Sequence, residues 1–135
     1  MKNEQEPTAM PPKKQQRSLI KAFAYAFEGI AYTIKTQRNM KIHLCIGACA
    51  LVASALLRLA PLEWALIIVC IGLVLMTELL NTAIEAIVDL LSPEYHHLAK
   101  AAKDIGAGMV LVFSLIALIV GCIVFVSAFL RLIGQ

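Results

Sequence analysis

The chain has 135 residues, of which 60% are hydrophobic and only 16% charged, with a formal net charge of +3. Soluble domains are roughly 45–50% apolar. A soluble protein of this size has too much surface to cover with so few charges, so the composition points to lipid as the solvent. The positive charge gathers near the N-terminus, at Lys2, Lys13, Lys14, Arg17 and Lys21. With no base-reading motif and with aromatics mostly in apolar context, that charge suits an anchor to anionic lipid and not a nucleic-acid partner.

The length is that of one domain. Residues 1–17 are polar, contain Pro7, Pro11 and Pro12, and lack the apolar core of a secretory signal; they are expected to form a disordered basic tail. The remainder, 18–135, is expected to be an integral-membrane domain. It opens with "RSLIKAFAYAFEGIAYTIKTQ", where Leu19, Ile20, Phe23, Phe27, Ile30, Ala31 and Ile34 recur at helical steps. Lys21, Glu28 and Lys35 mark the opposite, polar stripe. This predicts an amphipathic helix at about 18–37, lying along the membrane surface.

Three spans follow. The first, at about 40–60, has an uncharged heart, "LCIGACALVASALL", of about 14 residues, and needs its flanks to cross a bilayer. Arg58 interrupts it near one end and is placed to snorkel to the interface; Pro61 suits a turn. The second, at about 62–91, carries an interfacial Trp64 and is longer than the hydrocarbon core, so its acidic end should emerge at the boundary with water. In the polar connector "SPEYHHLAKAAKD", Ser92 and Pro93 are candidates to start a helix, Ser as cap and Pro in the first turn. The third span, about 105–130, carries no charge, and Arg131 ends it. Lys and Arg concentrate in the tail and the connector, which places both in the cytoplasm and the C-terminus outside. Cys45, Cys49, Cys70 and Cys122 all lie in apolar runs and read as packing residues. Gly72 and the Gly106–Gly108 pair read as points of close helix packing.

The second span holds the anomaly. At about 100° per residue, Glu78, Asn81, Glu85 and Asp89 fall within a sector of about 80°. Each carboxylate would cost roughly 2.5–3.5 kcal/mol facing lipid at mid-bilayer. The line must therefore face protein, water or a bound ion. A helix end that has become solvated accounts for Asp89 and partly for Glu85, but poorly for Glu78 among Leu79, Leu80, Ile84 and Ile87. Across one short loop, His96, Lys100, Lys103 and Asp104 follow helical spacing. Acidic groups able to hold Mg²⁺ thus lie near lysines able to hold phosphate, the parts that phosphoryl transfer needs. There is no GxxxxGK loop, so any nucleotide site is not of the P-loop kind.

The segments "ELLNTAIEAIVDL" and "EYHHLAKAAKD" closely resemble the bacterial diacylglycerol kinase family of small integral-membrane lipid kinases, over about residues 18–130. "RNMKIHL" and "EWALI" are more similar to the branch that contains undecaprenol kinases. The resemblance implies an all-α membrane protein, a surface helix plus three transmembrane helices, assembled as a homotrimer with active sites shared between subunits at the cytoplasmic face. It implies transfer of the ATP γ-phosphate to a lipid alcohol, with Mg²⁺. Carried over by residue, Glu78 matches the catalytic base and Asn81 a group that orients the base or the hydroxyl; a carboxylate there can accept the hydroxyl proton. Glu85 matches a metal ligand. Asp89, Glu94, His96, Lys103 and Asp104 match positions around the nucleotide, and Tyr25 an aromatic near the adenine. The pattern has a glutamate, a second metal ligand, where this chain has Gln37 in "KTQRN"; an amide carbonyl can bind Mg²⁺ without the charge.

The expected function is therefore phosphorylation of undecaprenol at the cytoplasmic membrane, with diacylglycerol as the alternative acceptor. An ion or proton pathway would also use intramembrane carboxylates but leaves the lysine connector unexplained. A structural membrane subunit explains neither feature.

Overall fold

The computed structural model describes residues 19–134; the tail at 1–17 lies outside the described residues. Four helices follow one another: α1 (Leu19–Thr36), α2 (Arg38–Leu56), α3 (Pro61–Leu91) and α4 (His97–Ile133). The last three are long and apolar enough to cross a membrane. At 1.5 Å per residue they measure about 28, 46 and 55 Å, against a hydrocarbon core of about 30 Å. So α2 barely spans it, while α3 and α4 must project into water.

Gln37 alone separates α1 from α2. It adopts an extended conformation (φ −97°, ψ 121°), while its N–H still donates to Thr33 O at 2.8 Å. The chain therefore bends without leaving the donor unpaired.

The α2–α3 turn closes differently from the sequence expectation. α2 ends at Leu56, short of position 60, and Arg58 sits in the turn beyond it. There it adopts a left-handed conformation with φ 50°. Arg58 N–H donates to Ala55 O and Leu59 N–H to Ser54 O. These two bonds form a Schellman closure, with Arg58 at the position glycine usually takes. Leu59 is thereby turned inward, where it packs with Ile67, Val124 and Ala128 in the core at this end of the molecule. Pro61 opens α3 at its first turn, where a missing N–H costs nothing. Glu63 Oε2 accepts from Ala60 N–H at 2.8 Å.

The connector also departs from expectation. Ser92 ends α3 instead of opening a helix, and its hydroxyl donates to Glu94 O. α4 begins at His97 and continues without a break through the 105–130 stretch. Its start is set by a side-chain cap: extended His96 accepts the Leu98 N–H on Nδ1 at 3.2 Å. The charged part of "EYHHLAKAAKD" is thus the first turns of a long helix, and position 105 marks only where its charge ends.

α3 and α4 pack antiparallel and share the largest interface. They are pinned at both ends. Arg131 Nη2 donates to Glu63 Oε1 and Oε2 at 2.9 and 2.7 Å, and Lys103 pairs with Asp89. Between the pins, Gly106 lets α4 approach α3: a Cβ there would lie 2.5 Å from Asn81 Oδ1. Gly72 and Gly108 instead face open space, so of those three glycines only Gly106 serves close packing. Large apolar side chains such as Leu111, Leu118 and Ile123 remain exposed along α4, as a lipid-facing surface requires.

Glycine suits the left-handed turn better than arginine does, because an L side chain there is strained by roughly 1–2 kcal/mol. Arg58→Gly is expected to raise the unfolding midpoint in detergent modestly, since glycine's greater unfolded-state entropy offsets part of the relief. Arg58→Val is expected to lower it. A midpoint that falls in the glycine variant would show that the Arg58 side chain holds the turn.

Candidate active site

α3 buries a polar sector inside the helical bundle. Thr77, Glu78, Asn81 and Thr82 are all buried. The two threonines satisfy themselves locally, Thr82 Oγ1 donating to Glu78 O and Thr77 Oγ1 to Leu73 O and Val74 O. Glu78 is different. It is 1% exposed, and neither carboxylate oxygen has a hydrogen-bond partner. A buried acceptor left unpaired costs about 1–3 kcal/mol, more when charged. Asn81, one turn on, also has an unpaired Oδ1.

One further turn along, the pattern reverses. Glu85 Oε1 accepts from Asn81 Nδ2 at 3.0 Å, and Glu85 Oε2 accepts from Gln37 Nε2 at 3.2 Å. Gln37 therefore reaches from the α1–α2 corner to the polar stripe of α3, bringing together two residues far apart in sequence. Turned over about its last bond, the same amide would present its carbonyl oxygen beside Glu85.

At the end of the stripe lies a cleft of about 290 Å³ between the α3 terminus and the start of α4. Asp89, Glu94, His96, Lys103 and Asp104 all line it, with Lys100. Lys103 pairs with Asp89 and Lys100 with Asp104. Five of the six residues assigned by resemblance to the nucleotide thus share one cleft. Tyr25 does not line it; it sits on α1, about half exposed. From Glu78 to Asp89 the stripe advances eleven residue steps, about 16 Å of helix.

His43 was not singled out for a role by sequence reasoning. It stands on α2 in half-buried surroundings and lines a separate, larger cavity. The available signal was a lone imidazole in the apolar run "IHLCIG".

Fold and site together define a multi-pass helical membrane protein in which an acidic line runs from a buried carboxylate to a charged cleft. A family model for the prokaryotic diacylglycerol kinase matches residues 24–125, and the chain belongs to that family. It is 43% identical over 106 residues to an undecaprenol kinase of Bacillus subtilis, covering 78% of this chain and 86% of that protein. It is 44% identical over 105 residues to a diacylglycerol kinase of Synechocystis, covering 77% of this chain but only 60% of that protein. A diacylglycerol kinase of Escherichia coli K12 is 33% identical over 111 residues, 82% of this chain and 91% of that protein.

Because neither Glu78 oxygen is hydrogen-bonded, removing its charge should relieve the fold. Glu78→Gln is expected to raise the thermal unfolding midpoint in detergent, by a gain on the order of 1 kcal/mol. A lowered midpoint would mean that the carboxylate has a structural partner.

Proposed function

We propose that this protein is a lipid kinase that transfers the γ-phosphate of ATP to the hydroxyl of a membrane lipid alcohol, undecaprenol first and diacylglycerol as the alternative acceptor. The observation that carries this reading is Glu78: a carboxylate buried without a partner, on one helix face with Glu85 and Asp89, a line that ends in a lysine-bearing cleft.

In this reading Glu78 takes the proton from the lipid hydroxyl as its oxygen attacks the γ-phosphorus. The bond from that phosphorus to the β–γ bridging oxygen breaks, and ADP leaves. Asn81 stands one turn from Glu78 and orients the base or the hydroxyl; its Nδ2 gives one N–H to Glu85 and has a second that can donate to the hydroxyl oxygen. Lys103, with Asp89, Glu94, His96 and Asp104 around it, holds the phosphates and the nucleotide at the cleft. Tyr25 contributes to the adenine end only if α1 is brought over the cleft.

The donor set fits Mg²⁺. Among the described residues no three His, Cys, Asp or Glu side chains converge on one point, and Mg²⁺ commonly takes one or two carboxylates with substrate phosphates and water. Glu85 and the Gln37 carbonyl would hold it, both hard oxygen donors beside the phosphate path. When bound, the metal neutralises charge on the transferring phosphate.

The same reading places α1 on the cytoplasmic membrane surface, its exposed Leu19, Ile20, Phe23 and Phe27 in lipid. The N-terminus and the 92–104 connector are cytoplasmic by their excess of Lys and Arg. The active form is a homotrimer with sites shared between subunits. The Mg²⁺ ion, the trimer and this orientation are drawn from the family resemblance and the charge pattern. An ion pathway would use the carboxylates but leaves the lysine cleft without a purpose.

Incubating purified protein with ATP, Mg²⁺ and either undecaprenol or diacylglycerol tests the proposal directly, with phosphorylated lipid as the readout. Glu78→Gln is expected to lower turnover by about 10²–10⁴-fold, the usual worth of a general base, while the protein stays assembled. Near-normal turnover would remove Glu78 from the chemistry.

Gln37 gives an independent test. Gln37→Glu is expected to lower the Mg²⁺ concentration for half-maximal activity, because a charged ligand attracts the cation more strongly. Gln37→Ala is expected to raise it. The thermal midpoint of Gln37→Glu in chelator should fall below wild type, where two carboxylates face each other unshielded. If neither variant moves the Mg²⁺ midpoint, position 37 does not hold the metal.

A further inference from the structure

A cavity of about 540 Å³ lies between α2, α3 and α4, separate from the charged cleft. Its walls are almost wholly apolar. Small residues, including Gly47, Ala50, Ala117 and Gly121, open it. Apart from the cysteines, only two lining residues carry polar side chains, His43 and Ser114. The Ser114 hydroxyl is buried and has no hydrogen-bond partner. An apolar cavity with its polarity confined to a few groups is how a site for an amphiphile is built.

The polar groups lie toward one end. Val74 lines the cavity one turn before Glu78 on α3. Ser114 lies about two turns beyond Gly106, the point where α4 touches Asn81. His43 stands in the second turn of α2, on the side of Gln37 and Glu85. The Gln37–Glu85 hydrogen bond and the contact of Gly47 with Ile71 set the register of α2 on α3, which puts His43 about level with Thr77 and Glu78. The cavity therefore begins about one helical turn from the unpaired carboxylate and runs away from it along the three helices.

We propose that His43 is an acceptor-binding residue: it hydrogen-bonds the hydroxyl of a lipid alcohol whose chain lies in this cavity, and so presents that hydroxyl to Glu78. The assignment rests on the lipid kinase reading for its substrate but on the cavity for its geometry. A chain occupant suits the walls, which offer no polar group beyond the two named. An imidazole suits the hydroxyl, since one ring nitrogen donates and the other accepts. The hydroxyl can then accept from His43 while it donates to Glu78, the orientation that proton removal needs. Glu78 thereby gains the donor-bearing partner it lacks within the chain.

Two measurements test this. First, a long-chain alcohol with a mid-chain diazirine is photolysed with wild-type and Glu78→Gln protein in nanodiscs, and the labelled residues are mapped. Label is expected on the cavity walls of α2, α3 and α4 in both proteins. The unlabelled alcohol should compete, and the alkane of equal length should not. In His43→Ala the label should fall about tenfold, the worth of roughly one good hydrogen bond; His43→Gln, which keeps a donor, should recover part of it. Second, in the kinase assay His43→Ala should raise KM for the lipid alcohol about tenfold and leave KM for MgATP unchanged, a split that a general loss of structure would not give. The proposal is overturned by label spread over the outer face of α4, by equal competition from the alkane, by a cavity wall that crosslinks to a second copy of the chain instead, or by an unaltered lipid KM. Failure of the kinase reading is seen separately, as wild-type protein that takes up label in the cavity but phosphorylates no lipid.

Discussion

The antiparallel pairing of α3 with α4 is what allows a carboxylate to stay buried at Glu78. A single helix crossing lipid could not keep that side chain at 1% exposure. It would have to turn it toward hydrocarbon or toward water, and at mid-bilayer the former costs several kcal/mol. α4 covers the polar sector because Gly106 removes the side chain that would strike Asn81. The register that puts Gly106 there is fixed by charge at both ends, Glu63 with Arg131 and Asp89 with Lys103. Both pairs lie where the long helices leave the hydrocarbon, so each charge keeps partial access to water. Exposed pairs of this kind add little to stability; their effect is on register, because sliding α4 by one turn would break both and move Gly106 off Asn81.

The second constraint is the corner at Gln37. Only one residue joins α1 to α2, and its amide is tied to Glu85. Asn81 holds the other oxygen of the same carboxylate. Hydrogen bonds to a charged group are worth about 1.5–3 kcal/mol each, so these two fix Glu85 firmly and couple α1–α2 to α3. A glutamate at position 37 would reverse this. Two unit charges about 4 Å apart repel by about 4 kcal/mol at an effective dielectric of 20, and the corner would close only around a cation. Glutamine lets the site form without the ion. With Mg²⁺ held there as proposed, the departure from the family pattern would change how strongly the fold and the metal depend on one another.

Much of the fold was legible because lipid imposes a simple code. Apolar runs of spanning length and a polar line at helical spacing require only the period of the helix, and the stripe of Glu78, Asn81, Glu85 and Asp89 is in the structure one face of one helix. What was not legible depended on single contacts across distance or on backbone that breaks the usual preferences. Ser92 and Pro93 resembled a helix start, yet His96 capped α4 with a ring nitrogen, which composition does not distinguish from an exposed histidine. Arg58 resembled an interfacial anchor, yet its backbone takes a glycine's conformation. Gly72 and Gly108 were indistinguishable from Gly106 until α4 was laid on α3. His43 lay in plain sight within an apolar run, but its meaning came only from the cavity that three separate helices enclose.

The lengths of the helices bear on how two unlike substrates reach one site. α2 is about as long as the hydrocarbon is thick, whereas α3 exceeds it by about 16 Å. That excess is about the length of helix between Glu78 and Asp89. If the far end of α3 lies at its membrane boundary, Glu78 sits just inside the lipid and Asp89 out in water, with Glu85 between. A lipid hydroxyl need not leave the bilayer, nor a charged phosphate enter it deeply, for the two to meet along this line. The apolar cavity approaches the line from one side and the lysine cleft from the other, and they share no lining residue. On the proposed reading, specificity for the lipid and affinity for the phosphate donor would be set by different surfaces, joined through the carboxylates of a single helix.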